Sequence, residues 1–243
     1  MLELVAHRGY AARFPENTLV ALEAAVSAGA RYVEVDVQMT RDGVPVLFHD
    51  RDCQRLCGVA GAIADFSYAD LARFVVTFPE RFGDRFTGNP IASLAHLVDF
   101  LRCHSEVTAF VEIKRQAVRA FSAKGVVETV RAIMAEVLDQ VILISFSLPA
   151  LVAARPLWPR LGVVTRRYCE FGARTVQSLH PEYHFCDDRG LPALGSLAHV
   201  DCALVVYEVG DADRARALEA RGVGFVETFA IAELYDALKV MRL

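Results

Sequence analysis

Glu34 and Asp36 stand two apart in Tyr32-Val33-Glu34-Val35-Asp36-Val37, and Glu112 repeats the pattern in Phe110-Val111-Glu112-Ile113-Lys114. Residues two apart in a strand share one face, and a strand buried on both faces is normally a continuous apolar run. Carboxylates set in such runs repel one another and cost several kcal/mol to desolvate unless a cation lies among them. Three hard oxygen donors suit Mg²⁺ or Ca²⁺ better than zinc or copper. A salt bridge inside the fold to Arg8 or Lys114 is the alternative, and the residues alone leave both open.

A second group consists of His7-Arg8 and His49-Asp50. Each histidine ends an apolar run, which sends both toward one mouth of the fold. Either alone suits a structural role, but two of them beside three carboxylates point to acid–base chemistry. Histidine both gives and takes a proton near neutral pH, and cleaving a phosphodiester requires both acts on opposite sides of phosphorus. Arg8 and Lys114 supply positive charge for phosphate oxygens, or pair with Glu34 and Glu112.

The elements that must hold these groups alternate along the chain. Strand-like runs are expected at residues 4–7, 32–37, 44–49, 109–114, 141–146, 161–165, 178–180, 203–209 and 225–228. Helical stripes lie between them, as in Leu19, Leu22, Val26 and in Val126, Val130, Ile133, Val137. Asn17 or Thr18 suits the N-cap of the first helix, and Glu16 suits either that helix end or a hydrogen bond to a catalytic residue. Asp42-Gly43 is the preferred pair of a type I′ hairpin, so residues 44–49 are expected to return antiparallel on 32–40. A two-residue loop there makes partner numbers sum to 85 and sets Asp36 opposite His49. The remaining eight strands each lead into a helix, which predicts an α/β fold of the (β/α)8 type. Residues 51–90 break the alternation, with one short helix near 68–74, and read as an insertion within a single domain spanning 1–243.

Composition excludes other classes. The chain has 243 residues, 54% of them hydrophobic, and 26 basic against 30 acidic residues give a net charge of −4. That is too apolar for a disordered chain, and no basic field exists to hold nucleic acid. Six cysteines without a C-x-x-C pair argue against zinc and a disulfide framework. No apolar run is long enough to span a bilayer and no signal segment opens the sequence, so stable membrane insertion is not expected and the cytoplasm is. Phosphate-loop, dinucleotide, nucleophile-elbow and H-E-x-x-H motifs are missing. Tyr207, at a strand end, suits either a substrate-stacking aromatic or core. The oligomeric state is not legible.

Together these residues resemble the glycerophosphodiester phosphodiesterase family. The resemblance rests on His7-Arg8-Gly9, Pro15-Glu16-Asn17-Thr18, Gly29-Ala30 through Glu34-Val35-Asp36-Val37, Thr40-Arg41-Asp42-Gly43, His49-Asp50, Arg55, Glu112-Ile113-Lys114 and Ser145-Phe146. His180 and Tyr207 fall where some bacterial members carry His and an aromatic. The resemblance implies a TIM barrel with a small insertion after His49-Asp50, and one divalent ion on Glu34, Asp36 and Glu112. It also implies His7 as the acid and His49 as the base, and a glycerophosphodiester cleaved to glycerol 3-phosphate and an alcohol. A lysophospholipid or other phosphodiester would suit the same chemistry if Phe14, Phe48, the phenylalanines of 51–90 or Tyr207 lined an apolar channel. A barrel that only binds phosphodiesters is a further alternative.

Three departures bear on the substrate rather than on metal, acid or base. The family's Trp-Thr-Val-Asn is here Tyr207-Glu208-Val209-Gly210, its late Thr-Asp is Thr228-Phe229, and its Pro-Thr-Leu-x-Glu is Ala92-Ser93-Leu94-Ala95-His96.

Overall fold

A computed structural model describes residues 2–240. Nine strands form one sheet: β1 (Glu3–Ala6), β2 (Tyr32–Met39), β3 (Pro45–Leu47), β4 (Thr108–Ile113), β5 (Val141–Ser145), β6 (Leu161–Thr165), β7 (Tyr183–Asp187), β8 (Ala203–Tyr207) and β9 (Phe225–Thr228). The order β1-β9-β8-β7-β6-β5-β4-β2 is parallel throughout, and the β1–β2 pairing closes it into a barrel with helices packed outside. β2 runs on past its pairing with β1, and its far end pairs antiparallel with β3.

The barrel interior explains where the site must be. Inward positions carry Val5, Phe110, Ile142, Val164, Phe185 and Val205 in one apolar cluster. Further along three of these walls, toward the C-terminal ends of the strands, stand Glu34 and Asp36, two and four residues after Tyr32, Glu112, two after Phe110, and Glu227, two after Phe225. The apolar layers plug the barrel, so polar groups collect at the mouth where sites of this architecture form.

Two expectations need correction. The hairpin partners sum to 84: Val37 pairs with Leu47 and Met39 with Pro45. Asp36 therefore lies opposite Phe48, whose N–H donates to its carbonyl at 2.9 Å. The cause is the turn. Thr40 Oγ1 accepts the Val44 N–H at 2.9 Å and donates to Asp42 Oδ1 at 2.6 Å. Gly43 (φ 78°) donates to the Thr40 carbonyl at 3.0 Å. The loop thus spans Arg41, Asp42 and Gly43, a three-residue connection ending in a left-handed glycine instead of a two-residue type I′ turn. The seventh strand of the sheet is Tyr183–Asp187, whereas residues 178–180 finish the short helix Arg174–Gln177 and turn toward it.

Smaller shifts concern helix ends. The helix expected over 125–138 stops at Ile133 and continues as a 3-10 turn over Ala135–Gln140. Residues 51–90 contain three short helices, Gln54–Cys57, Tyr68–Leu71 and Pro79–Phe82, around a separate cluster of Leu56, Ile63, Leu71 and Val76 packed on Val46 and Phe48. No helix among the described residues is long and apolar enough to cross a membrane.

Outside the barrel wall, His184 is fully buried between Thr165 Oγ1 (2.8 Å from Nε2) and His199 Nε2 (2.9 Å from Nδ1), with Phe171 stacked on both rings. Burial first, then His199, lowers its pKa to about 3. The folded protein therefore holds this ring neutral while the unfolded chain protonates it near its ordinary value of about 6.5. Stability is fully present above pH ~6.5 and is lost as pH falls toward ~3, by about 2 kcal/mol at pH ~5. Thermal melts at pH ~7.5 and ~5 should show a steeper loss for the wild type than for His184→Gln, and parallel losses would contradict this assignment.

Candidate active site

The first turn of the site begins where β1 ends. His7 is anchored by its N–H to the Thr228 carbonyl at 2.9 Å, and the chain then turns through Arg8 (φ 57°) and Gly9 (φ 79°). A Cβ at Gly9 would sit 2.7 Å from the carbonyl carbon of Ala21, so only glycine lets the turn pack on the first helix. The turn directs the Arg8 N–H at Glu34 Oε2 (3.2 Å), its Nη1 at Glu16 Oε1 (2.9 Å), and its Nε toward Asp36 Oδ2 (3.2 Å).

The carboxylates sit on neighbouring strands, in register. Asp36 on β2 pairs with Glu112 on β4, and Glu34, Asp36 and Glu112 each offer an oxygen within 4.8 Å of the others. Lys114 Nζ bridges Asp36 Oδ1 (3.0 Å) and Glu112 Oε1 (3.1 Å). Ion pairs to Arg8 and Lys114 are therefore present, and they leave the carboxylate cluster in place. Burial acts to raise the pKa of Asp36, but the charges of Lys114 and Arg8 outweigh it and hold that carboxyl far below its ordinary value. Glu34 behaves oppositely: burial, then the charges of Asp36, Glu227 and Glu112, push it well upward.

Glu227 is the site residue that sequence reasoning missed. It is 3% exposed, its Oε2 lies 3.8 Å from His7 Nε2, and its Oε1 has no hydrogen-bond partner among the described residues. Burial raises its pKa well above the usual range despite Arg8. His7, Glu34 and Glu227 form a second group of donor atoms within 4.8 Å. Phe225-Val226-Glu227-Thr228 breaks an apolar strand as Glu112 does, and that signal was readable.

The two histidines differ in setting. His7 is 7% exposed and its ring stacks on Phe229 at 4.4 Å and 11°. Burial, reinforced by Arg8, lowers its pKa well below the ordinary value, so the ring is neutral at pH ~7. The His49 side chain is 32% exposed, and its Nδ1 lies 2.7 Å from Asp50 Oδ1. Asp50 is held in turn by Arg55, which also reaches Glu16 with two nitrogens at 2.7 and 2.9 Å. Burial acts to raise Glu16, but hydrogen bonds from Arg55 and the charge of Arg8 keep it below its usual value. Glu16 thus joins the two halves of the site through Arg8 and Arg55.

Asn17 does not cap the first helix. Thr18 does, accepting the Ala21 N–H at 3.3 Å. Asn17, left-handed at φ 58°, instead donates to Asp36 Oδ2 (2.9 Å) and accepts the Asp36 N–H (3.0 Å), which fixes that carboxylate. His180 lies away from the site: it is exposed on the turn that precedes β7, at the opposite end of the strand from the mouth. Tyr207 ends β8 and donates to the Thr165 carbonyl at 2.8 Å.

His7, Arg8, Glu34, His49, Glu112 and Lys114 line one cavity of about 210 Å³, together with Arg166, Phe185, Asp187, Tyr207, Glu208 and Glu227. The apolar channel that would favour a lysophospholipid does not form from the named side chains. Phe14 packs on Phe86, Phe48 is buried beneath the 51–90 segment, and of those aromatics only Tyr207 lines the cavity.

A family model described as the glycerophosphoryl diester phosphodiesterase family matches residues 7–223. The chain belongs to this family. Membership places it among the phosphoric diester hydrolases, and the match takes in every charged group of the cavity except Glu227. A glycerophosphodiester phosphodiesterase of Bacillus altitudinis is 27% identical over 212 residues, which are 86% of this chain and 80% of that protein. Glycerophosphodiester phosphodiesterase 1 of Rattus norvegicus is 34% identical over 119 residues, 49% of this chain and only 36% of the rat protein.

Solved structures agree on the fold. An Oleispira antarctica phosphodiesterase, in complex with the product sn-glycerol-3-phosphate, superposes with a TM-score of 0.86 at 20% identity, over 98% of this chain and 96% of that one. A second structure, from Silicibacter pomeroyi, also gives 0.86, at 21% identity over 100% of this chain and 95% of its own. The barrel expected from alternation is the fold shared with these structures.

Proposed function

We propose that this chain hydrolyses glycerophosphodiesters to glycerol 3-phosphate and an alcohol by histidine acid–base catalysis. The observation that carries the reading is a single cavity lined at once by two imidazoles, by Arg8, Lys114 and Arg166, and by the buried carboxylates Glu34, Glu112 and Glu227. The product named for the Oleispira antarctica structure supports the substrate class.

The donor set fits a divalent cation. It is all oxygen, it is buried, and Glu34, Glu112 and Glu227 are all pushed upward by burial, a cost that a doubly charged ion removes. Held by Glu34, Asp36 and Glu112, Mg²⁺ or Ca²⁺ would supply Lewis-acid polarisation of a phosphate oxygen and a neighbouring hydroxyl.

Neutral His7 has a free lone pair and sits deep in the cavity, where it takes the proton of the attacking hydroxyl; when that hydroxyl is the substrate's own glycerol, the alcohol leaves a cyclic phosphate, which water then opens to glycerol 3-phosphate with the two histidines exchanging roles. His49, oriented by Asp50, stands on the open flank, and there it protonates the departing alcohol, which must leave toward solvent. This reverses the roles the resemblance implies; the burial of His7 and the exposure of His49 favour it. Arg8 and Lys114 stabilise negative charge that grows on the phosphate oxygens.

The direct test is incubation with glycerophosphocholine and Mg²⁺ or Ca²⁺. Release of choline and glycerol 3-phosphate is expected, and no turnover in any divalent ion, with the diester still bound, would establish a binding barrel instead.

A further inference from the structure

The cavity opens past His49 into a second groove of about 340 Å³, which it shares with His49, Glu112, Lys114, Phe146 and Arg166. Beyond them the groove gains Arg115, Arg119 and Gln116. Its one carboxylate, Glu112, is already paired with Lys114 at 3.1 Å. Arg119 and Arg166 are exposed and form no ion pair among the described residues. Arg115 donates to the Phe146 carbonyl at 3.1 Å and lies over its ring at 5.1 Å, which leaves its charge unneutralised. Three unpaired guanidiniums are thus concentrated on one flank of a chain whose net charge is −4.

The wall formed by β7, β8 and β9 has the contrary character. Asp187, Glu208 and Glu227, at or just after the ends of those strands, line the central cavity but not the groove. Carboxylates accept hydrogen bonds from vicinal hydroxyls, so that wall suits the glycerol half of the substrate. The other ester arm then extends over His49 into the arginine groove. A cationic headgroup such as choline would meet like charge there. A phosphate would meet planar donors able to bind two oxygens at once.

We propose that the groove of Arg115, Arg119 and Arg166 is a subsite for the leaving alcohol and selects alcohols that carry a phosphomonoester. The proposal rests on the phosphodiesterase reading above. Charge sets the preference, so salt must weaken it.

The experiment compares kcat/KM for glycerophosphoinositol 4-phosphate, glycerophosphoinositol and glycerophosphocholine, at low and high ionic strength. The first two differ only in the phosphate that the groove is proposed to read. A ratio of about tenfold or more in favour of the phosphorylated substrate is expected at low salt. It should shrink in high salt and fall toward one in Arg119→Gln and in Arg115→Gln/Arg119→Gln. Both side chains are exposed, and a thermal melt of each variant checks that the fold survives. Equal turnover of the inositol pair, or preference for choline, would overturn the subsite while leaving the phosphodiesterase reading standing. A ratio that survives both substitutions and high salt would also overturn it. No turnover of any of the three would overturn the underlying reading and the subsite together.

Discussion

Replacing His49 with alanine is expected to lower kcat/KM by about 10²–10⁴-fold, the range for loss of one acid–base partner, while the melting temperature and metal affinity stay close to wild type. The structural reason for the split is the setting of the ring. His49 is a third exposed, so its removal leaves no closed void, and Asp50 keeps two hydrogen bonds from Arg55 at 2.6 and 3.0 Å. The comparison needs steady-state rates, a thermal melt and a metal titration on the same preparation. A parallel fall in all three would make His49 a structural residue and remove the acid from the mechanism.

Glu34→Gln produces a more unusual pattern. Glu34 is 2% exposed, and burial together with Asp36, Glu227 and Glu112 opposes its negative charge. Gln keeps an oxygen for the Arg8 N–H, which Glu34 accepts at 3.2 Å, but removes that charge. In chelator, the variant should therefore melt at or above the wild-type temperature. With Mg²⁺ or Ca²⁺ the order should invert, because the wild type gains RT ln(1 + [L]/Kd), about 2.7 kcal/mol at a hundredfold excess over Kd, and the variant gains less. Activity should drop and recover partly as the ion is raised. If Glu34→Gln is instead destabilised to the same extent with and without the ion, the carboxylate serves only its structural contacts with the Arg8 N–H and the His7 ring.

Much of this site was legible because it violates a rule. A parallel strand buried on both faces should be apolar, and Glu34, Asp36 and Glu112 break that pattern at a spacing that puts them on one face. Glu227 breaks it too, as the single carboxylate of a four-residue strand, a signal as readable as that of Glu112. The barrel followed from the alternation of strands and helices, and the 51–90 segment from its failure to alternate. Registers and turns were less accessible. Asp42-Gly43 permits a type I′ turn, but the Thr40 hydroxyl, receiving the Val44 N–H, settles a three-residue loop and moves the ladder by one. The seventh strand was misplaced because Tyr183-His184-Phe185-Cys186-Asp187 carries polar side chains outward to a histidine pair that sequence does not show. Asn17 reads equally well as a cap or as a clamp, and only the left-handed backbone that turns it toward Asp36 decides.

The central claim is that these acids persist inside an apolar barrel because an ion neutralises them. Calorimetric titration of Mg²⁺ or Ca²⁺ into chelator-stripped protein, with glycerophosphodiester turnover followed at each point, tests it most directly. The expected result is one ion per chain, with turnover rising in step with occupancy, and binding weakened by substitution of Glu34, Asp36 or Glu112. Full turnover in the presence of chelator, with no heat of binding, would contradict it.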